Sequence, residues 1–391
     1  MFSNTHLGQL LSAFPSQFFQ KEVKACGADR YAKRCTSRDL LVTLVLGHLQ
    51  QSSSLRSLSA MSEAFDEHHH LNARPVPRST LSDALNKRSF IPFQKACESM
   101  LSAISGQQRR LAKRMISLID STSITLRGPD FDEWTKATKT RITQGLKVHT
   151  GFDPVQCAPV YISITPANVN DMTDALKVPI ESGVTYVFDK GYCSYNWWYQ
   201  IHQAEAFFVT RLKKDANVQL SHEHSCPSPE SRVQADEIVE FGKRHRVFRG
   251  TPVRRVKVQL ETWENPLTLV TNDLTRSAEE IADLYKERWQ IELFFKWIKQ
   301  HLKLKRFYAF SENAVKLQIY SAIITYVLLH IFQKRSNFRG SLFDLTRSLV
   351  CVLFERPLAK EHRKKRRRKN EGMKVAQGSL LLWRQRTFPG H

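Results

Sequence analysis

Paired cysteines are missing from this sequence. The seven cysteines are odd in number and scattered, and no two of them form a Cys-x-x-Cys pair. This pattern excludes a disulfide framework and favours reduced thiols, so we expect a cytoplasmic protein. His222, His224 and Cys226 lie close together, but their Ser- and Pro-rich segment is typical of a loop. A structural metal site there is therefore the weaker interpretation.

Long apolar runs are also missing. The most apolar stretch, 319–332, is interrupted by polar residues that include Tyr320, Ser321, Thr325 and His330. It falls short of the roughly 18 uninterrupted apolar residues that a membrane span needs, and it predicts a buried core helix. The opening residues MFSNTHLGQLL lack the basic start and apolar stretch of a secretory signal. We expect no membrane partner.

Acidic residues are outnumbered. The 391 residues include 59 Lys and Arg against 37 Asp and Glu, which gives a formal net charge of +22. An excess of this size favours a polyanionic partner, most simply nucleic acid. Seven consecutive cations, RKKRRRK at 363–369, repel one another and are expected to bind phosphates.

Apolar periodicity divides the chain into helical and strand-rich regions. Helical spacing covers residues 1 to about 105 and includes RSTLSDALNKR, for which Ser79 is the expected N-cap. This helix suits either a DNA groove or an ordinary bundle. Five strand segments follow, with two helices between them. They lie at 115–126, 145–152, 158–165, 185–189 and 207–212, and the first three are expected to form a meander. Strands again dominate the next region, and helices return at 277–302, 312–334 and 341–354.

These patterns predict six regions along an α/β chain. They are a helical N-terminal domain (1–105), a linker (106–114), the first part of an α/β core (115–212), a β-rich insertion (213–275), the second part of the core (276–335) and a C-terminal helix with a basic tail (336–391).

Three carboxylates stand at unusual positions. Asp120 lies inside a strand, in LIDST, where an ionised side chain is costly unless it binds something. Asp189 closes another strand in FDKGY, and Gly191 is expected to permit the sharp turn that exposes it. Glu292 lies among aromatic side chains on a predicted helix. Carboxylates on rigid elements suit Mg²⁺ ions that act on phosphodiesters.

Four polar residues share one stripe of the helix that carries Glu292. At about 100° per residue, they fall within an arc of roughly 60°, beside an apolar stripe. The four are Tyr285, Arg288, Glu292 and Lys299. The spacing alone is also consistent with a surface helix on which Arg288 and Glu292 form an i,i+4 ion pair.

The order LIDST, FDKGY, a β-rich insertion and then Y-x2-R-x3-E-x6-K at 285–299 resembles bacterial insertion-sequence transposases of the DDE superfamily, in the branch called insertion-sequence family four. The resemblance covers nearly the whole chain and implies that the helical N-terminal domain could bind DNA ends. It implies a ribonuclease-H-like core in which Asp120, Asp189 and Glu292 hold two Mg²⁺ ions, with Mn²⁺ as a substitute. It also implies a bacterial, nucleoid-associated enzyme that binds double-stranded DNA, both terminal inverted repeats and target, as a homodimer on two ends.

The resemblance further implies roles for side chains around the carboxylates. Arg288 and Lys299 would contact phosphates, Tyr285 would hydrogen-bond one, and Glu292 would be neutralised by metal rather than by Arg288. Additional candidates for DNA contacts are Arg211 and Lys213 and, as the aromatic that stacks on a flipped base in a hairpin route, Trp263. The alternatives are an inert DNA-binding descendant of such an enzyme and a metal-dependent nuclease without strand transfer.

Overall fold

The computed structural model describes residues 5–111, 115–136, 140, 143–213, 216–225, 231–242, 248, 251–259, 265–301 and 307–357. Three predicted features lie outside these residues, namely Cys226, Trp263 and the basic run 363–369.

Helices form the first part of the chain, as predicted. They are α1 (His6–Leu11), α2 (Ser16–Ala25), α3 (Ser37–Leu49), α4 (Leu55–Ser62), α5 (Arg78–Lys87) and α6 (Ile91–Leu111). Thr36 caps α3, and its side chain and that of Asp39 satisfy the first free N–H groups reciprocally. The predicted cap Ser79 is wrong, because α5 begins at Arg78 after Pro77, which has no side chain that can accept a bond. The predicted linker is helical as far as Leu111.

One large mixed sheet follows, and its first five strands agree with the predicted segments. They are β1 (Met115–Thr125), β2 (Gly145–Asp153), β3 (Ala158–Pro166), β4 (Val184–Phe188) and β5 (Phe207–Arg211). β1, β2 and β3 form the expected antiparallel meander, whereas β1, β4 and β5 are parallel. Short helices α7 (Pro129–Thr135), α8 (Asp171–Ala175) and α9 (Tyr195–Gln203) lie between strands. The strand order 3-2-1-4-5 is that of a ribonuclease-H-like core.

The strand-rich insertion extends this sheet. Its strands are β6 (Val218–Ser225), β7 (Val233–Phe241), β8 (Val253–Val258) and β9 (Leu267–Thr271). β9 pairs with β5, so the described strands form one nine-stranded sheet in the order β3-β2-β1-β4-β5-β9-β8-β7-β6. The loop prediction for 221–225 is wrong, since these residues pair with β7.

The last described elements are α10 (Ala278–Glu287), α11 (Trp289–His301), α12 (Glu312–Ser336) and α13 (Leu342–Val350). The single predicted helix at 277–302 is therefore interrupted at Arg288. α12 is long and apolar enough to cross a membrane, but 83% of its most apolar window is buried inside the protein. It contacts α3, α6 and β3, which confirms the predicted core helix.

Two apolar cores cover the two faces of the sheet. One core joins the N-terminal helices, α11 and α12 to one face, through side chains such as Leu118 of β1. The other joins α9 to the opposite face, through Ile119, Phe188 and two buried tryptophans. Successive side chains of a strand point to opposite faces. Asp120 therefore shares the face of Leu118, and Ser121 shares the face of Ile119.

Candidate active site

Strand alternation and helix packing bring the predicted carboxylates to one place. α11 packs on β1, on the face that carries Asp120, and this contact places Glu292 above the strand. Asp189 follows directly after β4, the parallel neighbour of β1. The chain turns sharply after Asp189, but Gly191 has no positive φ angle and open space around it. Gly191 is compatible with this turn, but the backbone conformation does not require glycine there.

Arg288 connects two of the carboxylates. Its Nη1 lies 2.7 Å from Oε1 of Glu292 and 3.5 Å from Oδ2 of Asp120. This structure contains the i,i+4 pair of Arg288 and Glu292 that the spacing also allowed, and the contact of Arg288 with DNA stays a prediction. Buried Nε of Arg288 has no hydrogen-bond partner among the described residues, so the guanidinium retains donor capacity.

Asp189 has its own set of partners. Arg211, the last residue of β5, donates from Nη2 to Oδ1 of Asp189 at 2.8 Å and from Nε at 3.1 Å. The buried hydroxyl of Tyr285 donates to the same oxygen at 3.3 Å. Both side chains, predicted to contact DNA, therefore contact a carboxylate in this structure. Lys213 is exposed just beyond β5.

Lys299 lies two turns beyond Glu292 on α11. It is half-buried and lines a small cavity together with Thr122 of β1 and Phe295. The structure thus brings Lys299 to β1, further along α11 than Glu292.

Burial shifts the pKa values of the site in different directions. Burial raises the pKa of Asp120 to about 6, and the nearby charges of Glu292 and Asp189 act in the same direction. Burial alone would also raise the pKa of Asp189, but Arg211 and a backbone N–H outweigh it and hold that pKa below its ordinary value. Burial raises the pKa of Tyr285 to about 12, so its hydroxyl stays protonated at neutral pH.

The donor chemistry of this site suits a hard divalent cation. Asp120 and Glu292 already share one positive group, and the burial of Asp120 is only partly compensated by Arg288. Within the described ranges, no three His, Cys, Asp or Glu side chains are grouped closely enough to form a ready ligand set. The carboxylate oxygens are suitable metal ligands. In this structure their positive partners are Arg288 and Arg211.

A polar network supports β1 from behind. On the face opposite Asp120, the hydroxyl of Ser121 donates to Oδ1 of Asp171 at 2.8 Å, at the start of α8. Nζ of Lys147 lies 3.0 Å from the same oxygen and donates to a backbone carbonyl at 2.8 Å. Sequence reasoning did not identify Asp171 or Lys147. Lys147 lies on β2 and Asp171 lies at the start of a helix, and neither position in the sequence indicates a contact with β1.

Trp289 is another side chain whose position was not predicted. It directly follows Arg288 and precedes Glu292 by one turn, yet it is 57% exposed. A single exposed apolar side chain is normal on a protein surface, so the interest of Trp289 lies in its place beside the carboxylates. Its position inside the segment 285–299 could have marked Trp289 as a site residue. The sequence could not distinguish it from the other aromatic residues of that segment.

Comparisons with known proteins fit this geometry. The family described as a transposase DDE domain matches residues 111–328, and a domain of unknown function (DUF4372) matches residues 3–68. A protein of Sinorhizobium fredii named as the transposase y4zB is 39% identical over 279 residues, which is 71% of this chain and 77% of that protein. A protein of Geobacillus stearothermophilus, named as the transposase for insertion sequence element IS5377, is 26% identical over 84% of this chain and 85% of its own length.

Two further similarities were found. A protein of Synechocystis named as a transposase for element IS4SA is 25% identical over 73% of this chain and 81% of that protein. A solved piggyBac transposase synaptic complex with hairpin DNA aligns with a TM-score of 0.49 and 11% identity, over 93% of this chain and 84% of that chain. Because the DDE domain matches more than half of the chain and y4zB is 39% identical, the chain belongs to the bacterial insertion-sequence transposases of the DDE superfamily, DNA-acting enzymes that use divalent metal ions.

Proposed function

We propose that this transposase cuts both ends of its element and joins them to target DNA, with Asp120, Asp189 and Glu292 as the catalytic carboxylates. The observation that carries the proposal is that Arg288 contacts both Asp120 and Glu292, while Asp189, at the end of the neighbouring strand, pairs with Arg211 and adds its charge to the surroundings of Asp120. They would hold two Mg²⁺ ions, which supply charge neutralisation at the phosphodiester and activation of the attacking hydroxyl.

Side chains around the carboxylates would bind and orient DNA. When Asp120 and Glu292 serve as ligands, the guanidinium of Arg288 is released to bind phosphate oxygens through paired N–H groups. The protonated Tyr285 hydroxyl can donate to a phosphate, and Arg211 keeps Asp189 ionised. Exposed Lys190, Lys213 and Lys286 lie next to the site residues in sequence and would contact the DNA backbone.

Trp289 supports a hairpin route to excision. A hairpin at the flank requires a base to leave the stack, and an extruded base needs an aromatic partner. The exposed indole beside Arg288 offers one within the described residues, while Trp263 remains a candidate outside them. Trp289→Ala should leave the first nick intact and reduce hairpin formation, and Trp289→Phe should restore it. Unchanged hairpin yield in Trp289→Ala would remove this residue from the route.

A cutting assay with the terminal repeat of the element tests the proposal. Glu292→Gln, Asp120→Asn and Asp189→Asn should each abolish Mg²⁺-dependent nicking while binding of the end is retained. Glu287→Gln is the matched control, because Glu287 lies one turn earlier and bonds Gln290 rather than the site. Retained cutting in a carboxylate variant would remove that residue from the site.

Two alternatives remain distinct in the same assay. An inert DNA-binding descendant would bind the repeat without nicking it. A nuclease without strand transfer would nick it but would not join the 3′ end to a second duplex. Two-end synapsis by a homodimer predicts a complex with two protein chains and two duplexes, which mass measurement of the purified complex can detect.

A further inference from the structure

Two arginine side chains hold the carboxylates of the proposed active site. Nη1 of Arg288 lies 2.7 Å from Oε1 of Glu292 and 3.5 Å from Oδ2 of Asp120. Arg211 donates to Oδ1 of Asp189 from Nη2 at 2.8 Å and from Nε at 3.1 Å. Each of the three carboxylates therefore has a guanidinium of the chain itself as a partner. We call Arg211 and Arg288 the arginine pair.

The charges of this group are nearly balanced before any metal ion binds. The three carboxylates bring three negative charges and the arginine pair brings two positive ones, so a single negative charge remains. Two divalent cations would add four positive charges and leave the group with three. Like charges a few ångströms apart repel strongly in a partly buried place, because little water screens them. The arginine pair therefore opposes the entry of metal ions.

The carboxylates are also not arranged as a ready set of ligands. Across the part of the chain that the structure describes, no three Asp, Glu, His or Cys side chains lie close enough together to hold a metal ion. One nitrogen of Arg288 contacts both Asp120 and Glu292. A metal ion that used these two carboxylates as ligands would have to displace that nitrogen, so the arginine and the metal compete for the same oxygens.

The arginine pair has little access to water. The side chains of Arg211 and Arg288 are only 18% and 12% exposed. The guanidinium of Arg288 lies 5.8 Å from the centre of the Tyr285 ring, and its buried Nε has no hydrogen-bond partner among the described residues. A buried charge that loses its partner is strongly unfavourable, because the cost of its desolvation is no longer offset. A displaced guanidinium therefore needs another anion.

A DNA phosphate can serve as that anion. Guanidiniums bind phosphate oxygens through paired N–H groups, in the geometry that they also use for carboxylates. The phosphates would also supply the negative charge that two bound cations require. DNA without metal ions would bring phosphates against three carboxylates, and metal ions without DNA meet the arginine pair. Each ligand therefore removes the obstacle to the other.

We propose that Arg211 and Arg288 form an electrostatic lock, which keeps divalent ions out of the active site until DNA phosphates take over the two guanidiniums. The inference rests on the proposed function, since it assumes that the three carboxylates are the metal ligands. It adds a coupling between two ligands, and by linkage DNA and metal ions raise the affinity for each other by the same factor. The lock restricts the metal-loaded state to protein that already holds DNA.

Binding of Mn²⁺ tests the lock without reference to cutting. The electron paramagnetic resonance signal of free Mn²⁺ is followed during titration of the full-length protein, alone and with a duplex of the terminal repeat. The duplex is cut in advance at the element end and lacks the 3′ hydroxyl, so that it can be neither nicked nor joined, and its own Mn²⁺ binding is subtracted. The complex should bind Mn²⁺ more tightly than the free protein by roughly 5- to 150-fold, the usual range of coupling between two sites.

Substitution of the arginine pair should open the lock. Arg288→Met and Arg211→Met should each raise the Mn²⁺ affinity of the free protein by about 10-fold and reduce the effect of DNA on that affinity. Arg288→Lys keeps the charge and should stay near the wild type. Arg255→Met is the matched control, because Arg255 pairs with Glu237 on β8, three strands away from β4, and should change neither affinity. Melting temperatures of all variants check that the fold is retained.

Two results would overturn the lock. One is equal Mn²⁺ affinity in the free wild type and in its DNA complex, because competition with the arginine pair requires a difference. The other is unchanged or weaker Mn²⁺ binding by both free methionine variants, which would show that the guanidiniums only support the carboxylates. Both results leave the proposed function intact if Glu292→Gln abolishes cutting. Conversely, cutting by Glu292→Gln would refute the catalytic assignment and, with it, the premise of the lock.

Discussion

Arg254, buried on β8, and Arg288, partly buried in the candidate active site, differ in how many of their N–H groups have partners. Nε and Nη2 of Arg254 donate to the two oxygens of Asp236 at 2.7 and 2.8 Å, and Nη1 donates to two backbone carbonyls. Arg288 contacts Glu292 at 2.7 Å and Asp120 at 3.5 Å, its guanidinium lies 5.8 Å from the centre of the Tyr285 ring, and its buried Nε has no hydrogen-bond partner in the described part of the chain.

This difference separates a structural ion pair from one that is available for exchange. A buried charge whose donors are all used is closed to ligands, whereas unused donor capacity in a buried group calls for an explanation. The carboxylates also differ, since Asp236 is fully buried while the side chains of Asp120 and Glu292 remain 20% and 34% exposed. The site around Arg288 is therefore open to an incoming phosphate or cation.

The largest expected effect follows from substitution of the two arginines by methionine. Arg254→Met should lower the free energy of unfolding by about 3–5 kcal/mol, because Asp236 is left charged and buried without a partner. Arg288→Met should lower it by only about 1 kcal/mol, because its carboxylate partners can reach water, yet should reduce cutting by at least 100-fold or so, a typical loss for a donor that stabilises transition-state charge. Urea denaturation and the cutting assay provide the two measurements.

The contrast between the two arginines would be refuted if both methionine variants changed stability and cutting in the same way. Equal destabilisation would mean that Arg288 is a structural residue, and unchanged cutting by Arg288→Met would mean that its unused donor has no function. Arg255→Met is a control for the loss of an arginine from β8, since its partner Glu237 is partly exposed.

Most strands of the sheet and the unusual position of Asp120 could be predicted from the sequence, whereas β6 could not. The core strands were predicted because their β-branched and apolar residues are local signals, and Asp120 was identified because a charged residue inside such a strand is unusual. β6 was missed because it is an edge strand whose VQLSHEHS side chains do not alternate. Its pairing with β7 depends on backbone hydrogen bonds, which any sequence can form.

The interruption at Arg288 was also not predictable. The helical period of apolar residues continues through both helices, so the pattern gives no sign that α10 ends at Glu287. The backbone N–H of Ile291 bonds to the carbonyl of Arg288, three residues earlier, which marks a tightened turn. Arg288 contacts Asp120 in a strand that is 168 residues distant in the sequence. A contact of that range depends on packing of α11 on β1, which spacing within one helix cannot indicate.

The carboxylate partners sharpen the comparison through pH. The pKa of Asp120 is about 6 in the folded protein, against an ordinary value of 3.8. Above about pH 6 the carboxylate is ionised in both the folded and the unfolded chain, and its ionisation lowers the free energy of unfolding by about 3 kcal/mol. Below about pH 4 the carboxyl group is protonated in both, and this cost disappears. Asp120→Asn should therefore stabilise the metal-free protein, with a gain that grows from about pH 4 to about pH 6 and is constant above.

Melting temperatures without divalent ions, measured across that range, check this prediction. Asp236→Asn is the contrasting variant and should destabilise, because Arg254 would lose its charged partner. A gain for Asp120→Asn that does not depend on pH, or a loss at neutral pH, would contradict the assignment of Asp120 as a carboxylate whose burial is incompletely compensated.

The smallest expected effect comes from two acids on the short helix α8. Asp171 accepts from Ser121 on β1, behind Asp120, whereas fully buried Asp174 accepts from Ser163 on β3 at 2.8 Å and from Tyr161 at 3.2 Å. Asp171→Asn should reduce cutting by roughly 10-fold and raise the Mg²⁺ concentration needed, with little change in melting temperature, because it loosens the strand that carries Asp120. Asp174→Asn should instead lower the melting temperature and leave the Mg²⁺ dependence unchanged. If Asp171→Asn alters stability alone, the network behind β1 belongs with Arg254 among the structural contacts and not with Arg288.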